Sequence, residues 1–431
     1  MNQTVNESWV PTRESSLTKT ANSLDPLLAL RGLACVVVVF FHCHIARHVV
    51  VYENYDFSWL FLGHGTAAVW VLFCLSGYLM GKVFYTRRYV LDVPGVCKFF
   101  WNRALRICPL YYFSTFILIL FVYPEVLKIE NWGLIFRIIS FTYTFPLPII
   151  FNPEHPFNPV IWSLSTEVQF YLLVPFLYGL TKTFLTSRKK VIIGTIFILL
   201  LTVFFRFLGL MTFPFHTSLI LNLDLFVCGF FLNAWFEHSP QPDFKQSSSP
   251  RKRKNSFYLK IIASLALIIF YLVISYHGYY QELWNYTPRP ATMRWSIFIT
   301  KTSYFLWPVI TTLTTTFFIY AFETEIVKNR GYKNRKLSFQ TCLENPFRTL
   351  EILGLLSYGI YLWHMPIIIK ISPLIVSDDL GRIFFTKLAS TLILSTALAA
   401  ITYYAIELPP AQLKQFSNAP ETKPINPSPS L

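Results

Sequence analysis

The chain has 431 residues, of which 54% are apolar and only 14% are charged. A soluble domain carries about 25% charged residues, so this composition excludes an ordinary soluble protein. The net charge of +15 does not indicate nucleic-acid binding. The Lys and Arg residues stand in short segments between apolar runs, as they do in the cytoplasmic loops of membrane proteins.

Apolar runs long enough to cross a bilayer recur from the beginning of the chain to its end. A helix needs roughly 18 or more apolar residues to do so. We therefore predict an all-α integral membrane protein with about ten transmembrane helices. The predicted spans are residues 26–46, 66–84, 105–123, 160–181, 191–210, 217–236, 258–276, 296–321, 350–372 and 383–408.

The basic residues orient these spans. With a cytoplasmic N-terminus, the cytoplasmic segments hold roughly four times as many Lys and Arg residues as the outer ones, and the C-terminus is then cytoplasmic as well. Residues 133–150 are apolar enough to span, but counting them would move the basic run 187–190 outside, and prolines recur between 146 and 159. We therefore predict that residues 124–159, between helices 3 and 4, form an outer-face or re-entrant segment.

The chain is predicted to contain one membrane domain and two tails. Residues 1–25 form a cytoplasmic tail without a cleavable signal peptide, and residues 26–408 form the membrane domain. Residues 409–431 form a Pro-rich cytoplasmic tail that is predicted to be disordered, as are residues 240–255. No internal repeat is evident. The seven Cys residues show no metal-ligand spacing, so we predict no metal site.

Ionisable side chains inside spans are costly in a membrane and are therefore the first candidates for a functional site. In the first span, Arg31 and His42 are three helical turns plus roughly 20° apart, so both project from one face, about 16 Å from each other. Arg31 is predicted near the cytoplasmic end and His42 near mid-membrane. Considered alone, Arg31 is also typical of a basic side chain that anchors a helix at the membrane surface. Considered alone, His42 is also typical of a hydrogen bond between packed helices.

Two further spans begin with polar residues at helical spacing. Arg103 and Arg106 share a face at the predicted cytoplasmic mouth of the third span. Two guanidinium groups there suit phosphate binding, although basic residues are also common at any cytoplasmic helix end. In the fourth span, Ser163, Glu167 and Tyr171 follow one face. A carboxylate in this position suits proton transfer or hydroxyl binding, and its alternative role is an ion pair between helices.

Weaker candidates lie elsewhere in the chain. Asp224, in the sixth span, is expected either to support the site or to form a purely structural pair with Arg206. His364 lies in the ninth span, within the aromatic run 357–366. Residues 75–78, late in the second span, contain a Gly that more often allows close helix packing than chemistry.

Taken together, these segments resemble the acyltransferase-3 family of membrane-bound O-acyltransferases. They come in the family's order and cover nearly the whole chain. One departure is Asn222, which stands two residues before Asp224 where the family often has Arg. The matching segments are Arg31 with His42 (an Arg-x10-His signature), residues 69–79, Arg103 with Arg106, Trp162-Ser163-Leu164 with Glu167, and residues 358–366.

The resemblance implies an enzyme that moves an acyl group, most commonly acetyl, from acyl-CoA on the cytoplasmic side to a hydroxyl of a glycan or lipid-linked saccharide. Acetyl-CoA is then a donor substrate, and no cofactor is permanently bound. The expected surroundings are the lipids of a bacterial inner membrane. The protein is expected to modify a polysaccharide and to have no nucleic-acid partner.

The resemblance also assigns roles to the candidate residues. His42 is the expected general base, or alternatively the residue that accepts the acyl group covalently. Glu167, the second expected catalytic residue, orients His42 or binds the acceptor. Arg31, Arg103 and Arg106 are expected to bind the donor. The expected supporting residues are Trp162, Ser163, Tyr171, Asp224 and His364.

Two other functional classes were weighed against this one. A transporter or flippase for a saccharide or anionic metabolite would also place Arg, His and carboxylates inside the membrane. Such proteins often contain inverted repeats, whereas the candidate residues here concentrate in the first four spans. A scaffold or receptor would leave the Arg–His and Trp–Ser–Leu–Glu patterns unexplained.

Overall fold

The structure is a computed structural model that describes residues 24–143, 157–210, 217–239, 250–286, 293–326, 342–343 and 345–416. It is almost entirely helical, in agreement with the all-α prediction. The helices are α1 (Pro26–Cys43), α2 (Gly65–Tyr85), α3 (Val93–Phe121), α4 (Trp132–Ile139), α5 (Ile161–Phe184), α6 (Arg188–Leu210), α7 (Leu223–Glu237), α8 (Pro250–Tyr286), α9 (Met293–Ile326), α10 (Arg348–Ile371), α11 (Leu380–Thr402) and α12 (Leu408–Phe416), with a π-helical turn at Tyr403–Glu407.

One small hairpin is the only sheet in the described part of the chain. Strands β1 (Val51–Tyr52) and β2 (Tyr55–Asp56) pair antiparallel between α1 and α2. The Asp56 carboxylate accepts from the backbone amide of Ser58 at 2.9 Å and from the hydroxyl of Tyr279. The hairpin is thereby tied to α8 at the predicted outer face.

Nine helical stretches in the described ranges are long and apolar enough to cross a membrane. They account for nine of the ten predicted spans. The remaining one, predicted at 160–181, forms α5, whose 24 residues would extend about 36 Å. Glu167 and Gln169 lower its hydropathy, and their polar groups are bonded inside the protein. The fold is that of an integral membrane protein, and the polar side chains of α5 are bonded within it.

The described part of the segment between α3 and α5, residues 122–143, holds no helix long enough to span a membrane. It contains two short 3-10 turns, Pro124–Leu127 and Ile129–Asn131, followed by α4. Eight residues of helix extend only about 12 Å, less than half of the hydrocarbon thickness. Residues 144–156 of the predicted outer-face or re-entrant segment lie outside the described residues.

Several helix boundaries differ from the prediction. Asp92 caps α3 by accepting from the amide of Gly95 at 2.8 Å, so this helix begins well before the predicted residue 105. Arg103 therefore lies about 15 Å along the helix rather than at its beginning. At the other end of the chain, residues 409–416 of the predicted disordered tail are helical, as part of α12. Pro409 and Pro410 fall in the first turn, where a missing N–H is tolerated.

α2 lies at the centre of the bundle and is the most buried of the nine spans. Its Phe73 stacks on Phe226 of α7 with ring centroids 4.4 Å apart, and Phe170 of α5 stacks on the same ring at 4.3 Å. α6 and the candidate span within α8 are the least buried of the nine. Their exposed apolar side chains are suited to lipid.

α1 and α10 pack in parallel and in register. Gly32 of α1 lies against the backbone of α10 so closely that a Cβ would overlap the carbonyl oxygen of Leu350, and a Cβ on Gly354 would overlap that of Leu28. The same offset of 322 positions joins Cys35 to the Ser357 carbonyl. Small residues at such crossings let two membrane helices approach closely.

The two helices also share a sequence pattern. With that offset, Leu28, Gly32, Leu33 and His42 align with Leu350, Gly354, Leu355 and His364. These four shared residues lie on two helices in contact, and the expectation of no internal repeat stays a prediction. Because the pair is parallel, it is not the inverted repeat of many transporters.

We expect Gly354→Ala to destabilise the protein by about 1–3 kcal/mol, because the new methyl group would push apart two packed backbones. Gly133→Ala in α4 is the matched control, since a Cβ there meets no atom within 4 Å, and replacing a helical Gly stabilises by about 0.5–1 kcal/mol. Thermal unfolding in detergent, followed by tryptophan fluorescence, measures both. Equal midpoints for the two variants would contradict the close packing of α1 on α10.

Candidate functional site

His42, in the last turn of α1, meets His364, which lies about two turns before the end of α10. His364 Nε2 lies 3.3 Å from His42 Nδ1, which is also 2.9 Å from the carbonyl oxygen of Val38. His364 is fully buried, and its Nδ1 faces the carbonyl oxygen of Tyr361 at 2.8 Å. His42 is about 24 Å from the beginning of α1.

A cavity of about 160 Å³ opens beside His42. Trp162, a predicted site residue, lines this cavity. Tyr361, three residues before the predicted His364, lines it as well. His42 is its only basic lining residue. The full lining is Phe41, His42, Thr66, Val69, Pro159, Val160, Trp162 and Tyr361.

Tyr361 of α10 connects this helix to the beginning of α5. Its hydroxyl lies 2.7 Å from Ser163 Oγ and donates to the carbonyl oxygen of Val160 at 3.1 Å. Tyr361 lies one turn before His364 on α10, and these bonds therefore hold the beginning of α5 against α10. Asn158 adds a second link through its Nδ2, which donates to the carbonyl oxygen of Leu362 at 3.1 Å.

Glu167 belongs to a separate cluster farther along α5. Its Oε1 accepts from Ser76 Oγ of α2 at 2.6 Å and from the hydroxyl of Tyr171 at 2.5 Å. The ring of His42 is instead held by Val38 and His364. The structure thus places the predicted partner Glu167 on Ser76 and Tyr171, about 7.5 Å along the helix from Trp162.

Arg103 has weak bonding for a half-buried guanidinium. Its Nη1 lies 3.6 Å from the sulfur of Met80, and its buried Nε has no hydrogen-bond partner. Its charge is near enough to interact with the Tyr171 hydroxyl. A guanidinium with free donors can bind an anion.

Arg106 and Arg31 have protein partners. Arg106 Nη1 donates to Glu407 Oε2 at 2.7 Å, and the Glu407 side chain is 3% exposed. Arg31 Nε donates to Ser357 Oγ at 2.8 Å, and Arg31 is near enough to interact with the charge of Glu407. Two of the three predicted donor-binding arginines, Arg31 and Arg106, thus share a carboxylate that the sequence prediction missed.

Asp224 forms the predicted pair with Arg206. The Arg206 Nη2 donates to Asp224 Oδ1 at 2.6 Å, and the carboxylate is fully buried. Asn222, where the family often has Arg, donates instead to the carbonyl oxygen of Ser218. In this chain, the cation for the sixth-span Asp comes from the preceding helix.

Similarity to known proteins identifies the family of this chain. A family model described as "Acyltransferase domain" matches residues 23–404, nearly the whole membrane domain. The chain belongs to this acyltransferase family. The family resemblance drawn from the motifs is thereby confirmed.

Three curated bacterial relatives are similar over most of this chain. The peptidoglycan O-acetyltransferase OatA of Listeria monocytogenes is 24% identical over 88% of the chain, and the putative peptidoglycan O-acetyltransferase YrhL of Bacillus subtilis is 23% identical over 88%. The O-acetyltransferase OatA of Staphylococcus aureus is 24% identical over 93%. The chain spans 54%, 54% and 59% of their respective lengths. No solved structure matches the chain.

In this family member, the structure brings together only some of the predicted residues. His42 and Trp162 line the cavity, His364 contacts His42 without lining the cavity, and Ser163 bonds to Tyr361. Glu167 and Tyr171 form the second cluster, which is near Arg103. Arg31, Arg106 and Asp224 are bonded to other parts of the protein.

Three polar residues of the membrane domain escaped the sequence analysis. Ser76 stood in a motif assigned to packing, and Glu407 and Glu323 lay near the ends of predicted spans. Glu323 is fully buried and accepts from Tyr78 and Lys82 at 2.7 and 2.6 Å. A stricter search for carboxylates near span ends would have found Glu407 and Glu323. Among the described residues, no group of three or more His, Cys, Asp or Glu side chains is placed to hold a metal.

We expect Arg106→Gln to destabilise the acyltransferase by about 1–3 kcal/mol, because it leaves the buried Glu407 carboxylate without its cation. Adding Glu407→Gln should restore most of the loss, since the pair then becomes two neutral amides. Arg103→Gln is the matched control and should leave the thermal midpoint in detergent unchanged. An equal loss for Arg103→Gln would show that its guanidinium is structural as well.

Proposed function

We propose that this protein is a multi-pass membrane O-acetyltransferase that moves acetyl from acetyl-CoA to a glycan hydroxyl. The observation that carries the proposal is His42, a single basic side chain lining a cavity otherwise formed by aromatic, aliphatic and hydroxyl groups. Family membership supports acyl transfer. The names of two relatives make peptidoglycan the first acceptor to test, ahead of a lipid-linked saccharide. Because those relatives are bacterial, we place the protein in a bacterial plasma membrane.

The helix termini around the cavity give it a polarity that suits acyl transfer. His42 lies in the last turn of α1, where the helix dipole favours a positive charge. Thr66 and Trp162 lie in the first turns of α2 and α5, where the dipoles favour a negative charge. A proton taken up by His42 and an oxyanion formed opposite it would both be stabilised.

The reaction follows from this polarity. The unprotonated nitrogen of His42 accepts the proton of the acceptor hydroxyl as the hydroxyl oxygen attacks the thioester carbonyl. The tetrahedral intermediate then expels the CoA thiolate, which takes up the proton from the imidazolium, and the acetyl ester remains on the glycan. In the alternative route, His42 attacks the thioester itself, and the acyl-imidazole passes acetyl to the hydroxyl.

The donor is bound toward the opposite end of the site. Arg103 has free guanidinium donors for a CoA phosphate, whereas Arg106 is committed to Glu407. Arg31 lies on the same face of α1 as His42, about 16 Å away. The long pantetheine arm of CoA would cover this separation and bring the thioester toward the cavity.

We propose that Glu167 acts between the donor phosphate site at Arg103 and the cavity beside His42. Its bonds to Ser76 and Tyr171 fix its carboxylate between Arg103 and the cavity. Because the charge of Arg103 interacts with Tyr171, a phosphate bound at Arg103 would change the electrostatic potential at Glu167 and Tyr171. We propose that Glu167 positions the donor arm and takes no part in orienting His42.

We expect His42→Gln to lower acetyl transfer by at least about 100-fold, because it removes the general base or nucleophile. The measurement is thiol release from acetyl-CoA by purified protein in nanodiscs, with the ester confirmed by mass spectrometry of the glycan. Peptidoglycan fragments and a lipid-linked saccharide extract are compared as acceptors. His238→Gln, at a histidine bonded to the Leu185 carbonyl far along the chain, is the control.

Three outcomes separate the possibilities. Full transfer by His42→Gln would remove His42 from the mechanism and keep the enzyme. Transfer to the saccharide extract alone would show that the acceptor is a lipid-linked saccharide and not peptidoglycan. Saccharide uptake into vesicles with no thiol release from any acceptor would support the transporter instead.

We expect Arg103→Gln to raise the KM for acetyl-CoA roughly 10- to 100-fold, the effect of losing one charged hydrogen bond to phosphate. Acetyl-pantetheine, which lacks the phosphates, is the matched donor. It should be used equally by the wild type and by the variant. A similar loss with both donors would mean that Arg103 acts on something other than phosphate.

A further inference from the structure

We propose that His364 is a positioning residue that holds His42 as the Nδ1–H tautomer, so that Nε2 of His42 is the reactive nitrogen. The inference rests on the proposed function for its catalytic meaning. The tautomer itself follows from the hydrogen bonds of the two rings.

The argument begins at His364. Its Nδ1 lies 2.8 Å from the carbonyl oxygen of Tyr361 and 3.3 Å from that of Ile360. A carbonyl oxygen only accepts, so this nitrogen carries a hydrogen. The ring is fully buried, which favours the neutral form. Its Nε2 is then a bare acceptor.

The second step assigns His42. Its Nδ1 has two neighbours, the carbonyl oxygen of Val38 at 2.9 Å and His364 Nε2 at 3.3 Å. Both neighbours are acceptors, so His42 Nδ1 must be the donor, shared between them. A neutral imidazole carries one hydrogen. The lone pair of His42 therefore lies on Nε2, on the ring that lines the cavity.

The reverse arrangement is unfavourable. If His364 Nε2 donated to a bare His42 Nδ1, that lone pair would face the Val38 carbonyl oxygen at 2.9 Å. His364 would also carry a positive charge in a fully buried position, because its Nδ1 is already protonated by its carbonyl partners. Burying an unpaired charge is costly.

The helix packing holds this contact in place. The offset of 322 that brings Gly32 against Gly354 also brings His42 against His364. When His42 takes up a proton at Nε2, its Nδ1–H remains bonded to His364, and the added charge strengthens that bond. His364 thus acts through His42 and makes no contact with substrate in this scheme.

The test is NMR of the full-length protein labelled with 13C and 15N in histidine, in nanodiscs. The chain has only nine histidines, and His42→Gln identifies the resonances of His42. We expect a protonated Nδ1 and an unprotonated Nε2 on His42 in the wild type. His364→Phe should shift His42 toward the Nε2–H form, and His364→Gln, which keeps an acceptor, should restore much of the original form.

Activity provides the second readout. His364→Phe should lower kcat roughly 10- to 100-fold, the usual effect of losing the partner that orients a functional histidine. The KM for acetyl-CoA should not change, and His364→Gln should recover part of kcat. His238→Gln is the control for both measurements.

The outcomes separate this inference from the proposed function. An Nε2–H form of His42 in the wild type, or an unchanged tautomer in His364→Phe with the other histidine resonances intact, would overturn the inference. If the tautomer behaves as expected but no acceptor is acetylated, the positioning holds and the proposed function fails. If His364 had only a structural role, His364→Phe would lower the thermal midpoint and leave the tautomer of His42 unchanged. The Phe and Gln variants would then have the same kcat.

Discussion

The close packing of α1 on α10 is the constraint on which the rest of the site depends. Gly32 and Gly354 allow the two backbones to touch, and the parallel register then fixes every pair along the contact. Ten residues farther on, the same register joins His42 to His364. In a membrane, apolar side chains gain little by leaving lipid for another helix, so close packing and polar contacts must hold helices together.

A second parallel pair, α2 with α5, completes the site from the opposite direction. Phe73 meets Trp162 at one level, and Ser76 meets Glu167 farther along. This pair presents its amino ends to the cavity, whereas α1 presents its carboxyl end, so the termini supply opposite partial charges. The Tyr361–Ser163 contact joins the two pairs. The cavity is thus a product of topology as much as of its lining residues.

The sequence predicted the helical class and most spans, because hydropathy and helical spacing are local properties. It also named two of the residues that line the cavity, His42 and Trp162. The Arg31–His42 spacing needs only one helix. The His42–His364 contact joins distant segments, and nothing in a single sequence reports that two helices touch. The four residues shared by α1 and α10 are too few to reveal that these helices touch. Glu167 was expected to orient His42 or to bind the acceptor, whereas its carboxylate accepts from Ser76, on a different helix, and from Tyr171. The start of α3 was missed because the Asp92 cap precedes the apolar run.

The distribution of charge pairs explains why function concentrates at a few residues. Arg206–Asp224, Lys82–Glu323 and Arg106–Glu407 each combine a cation with a buried carboxylate, and such pairs join helices without exposing a charge to lipid. Among the described arginines of the site, Arg103 has the weakest protein bonding, a sulfur contact and an unpartnered Nε. His42 is held on one nitrogen only. Groups that keep an unused donor or lone pair inside a membrane protein remain costly until a ligand satisfies them. The phosphate of the proposed donor and the hydroxyl of the proposed acceptor are ligands of the required chemistry.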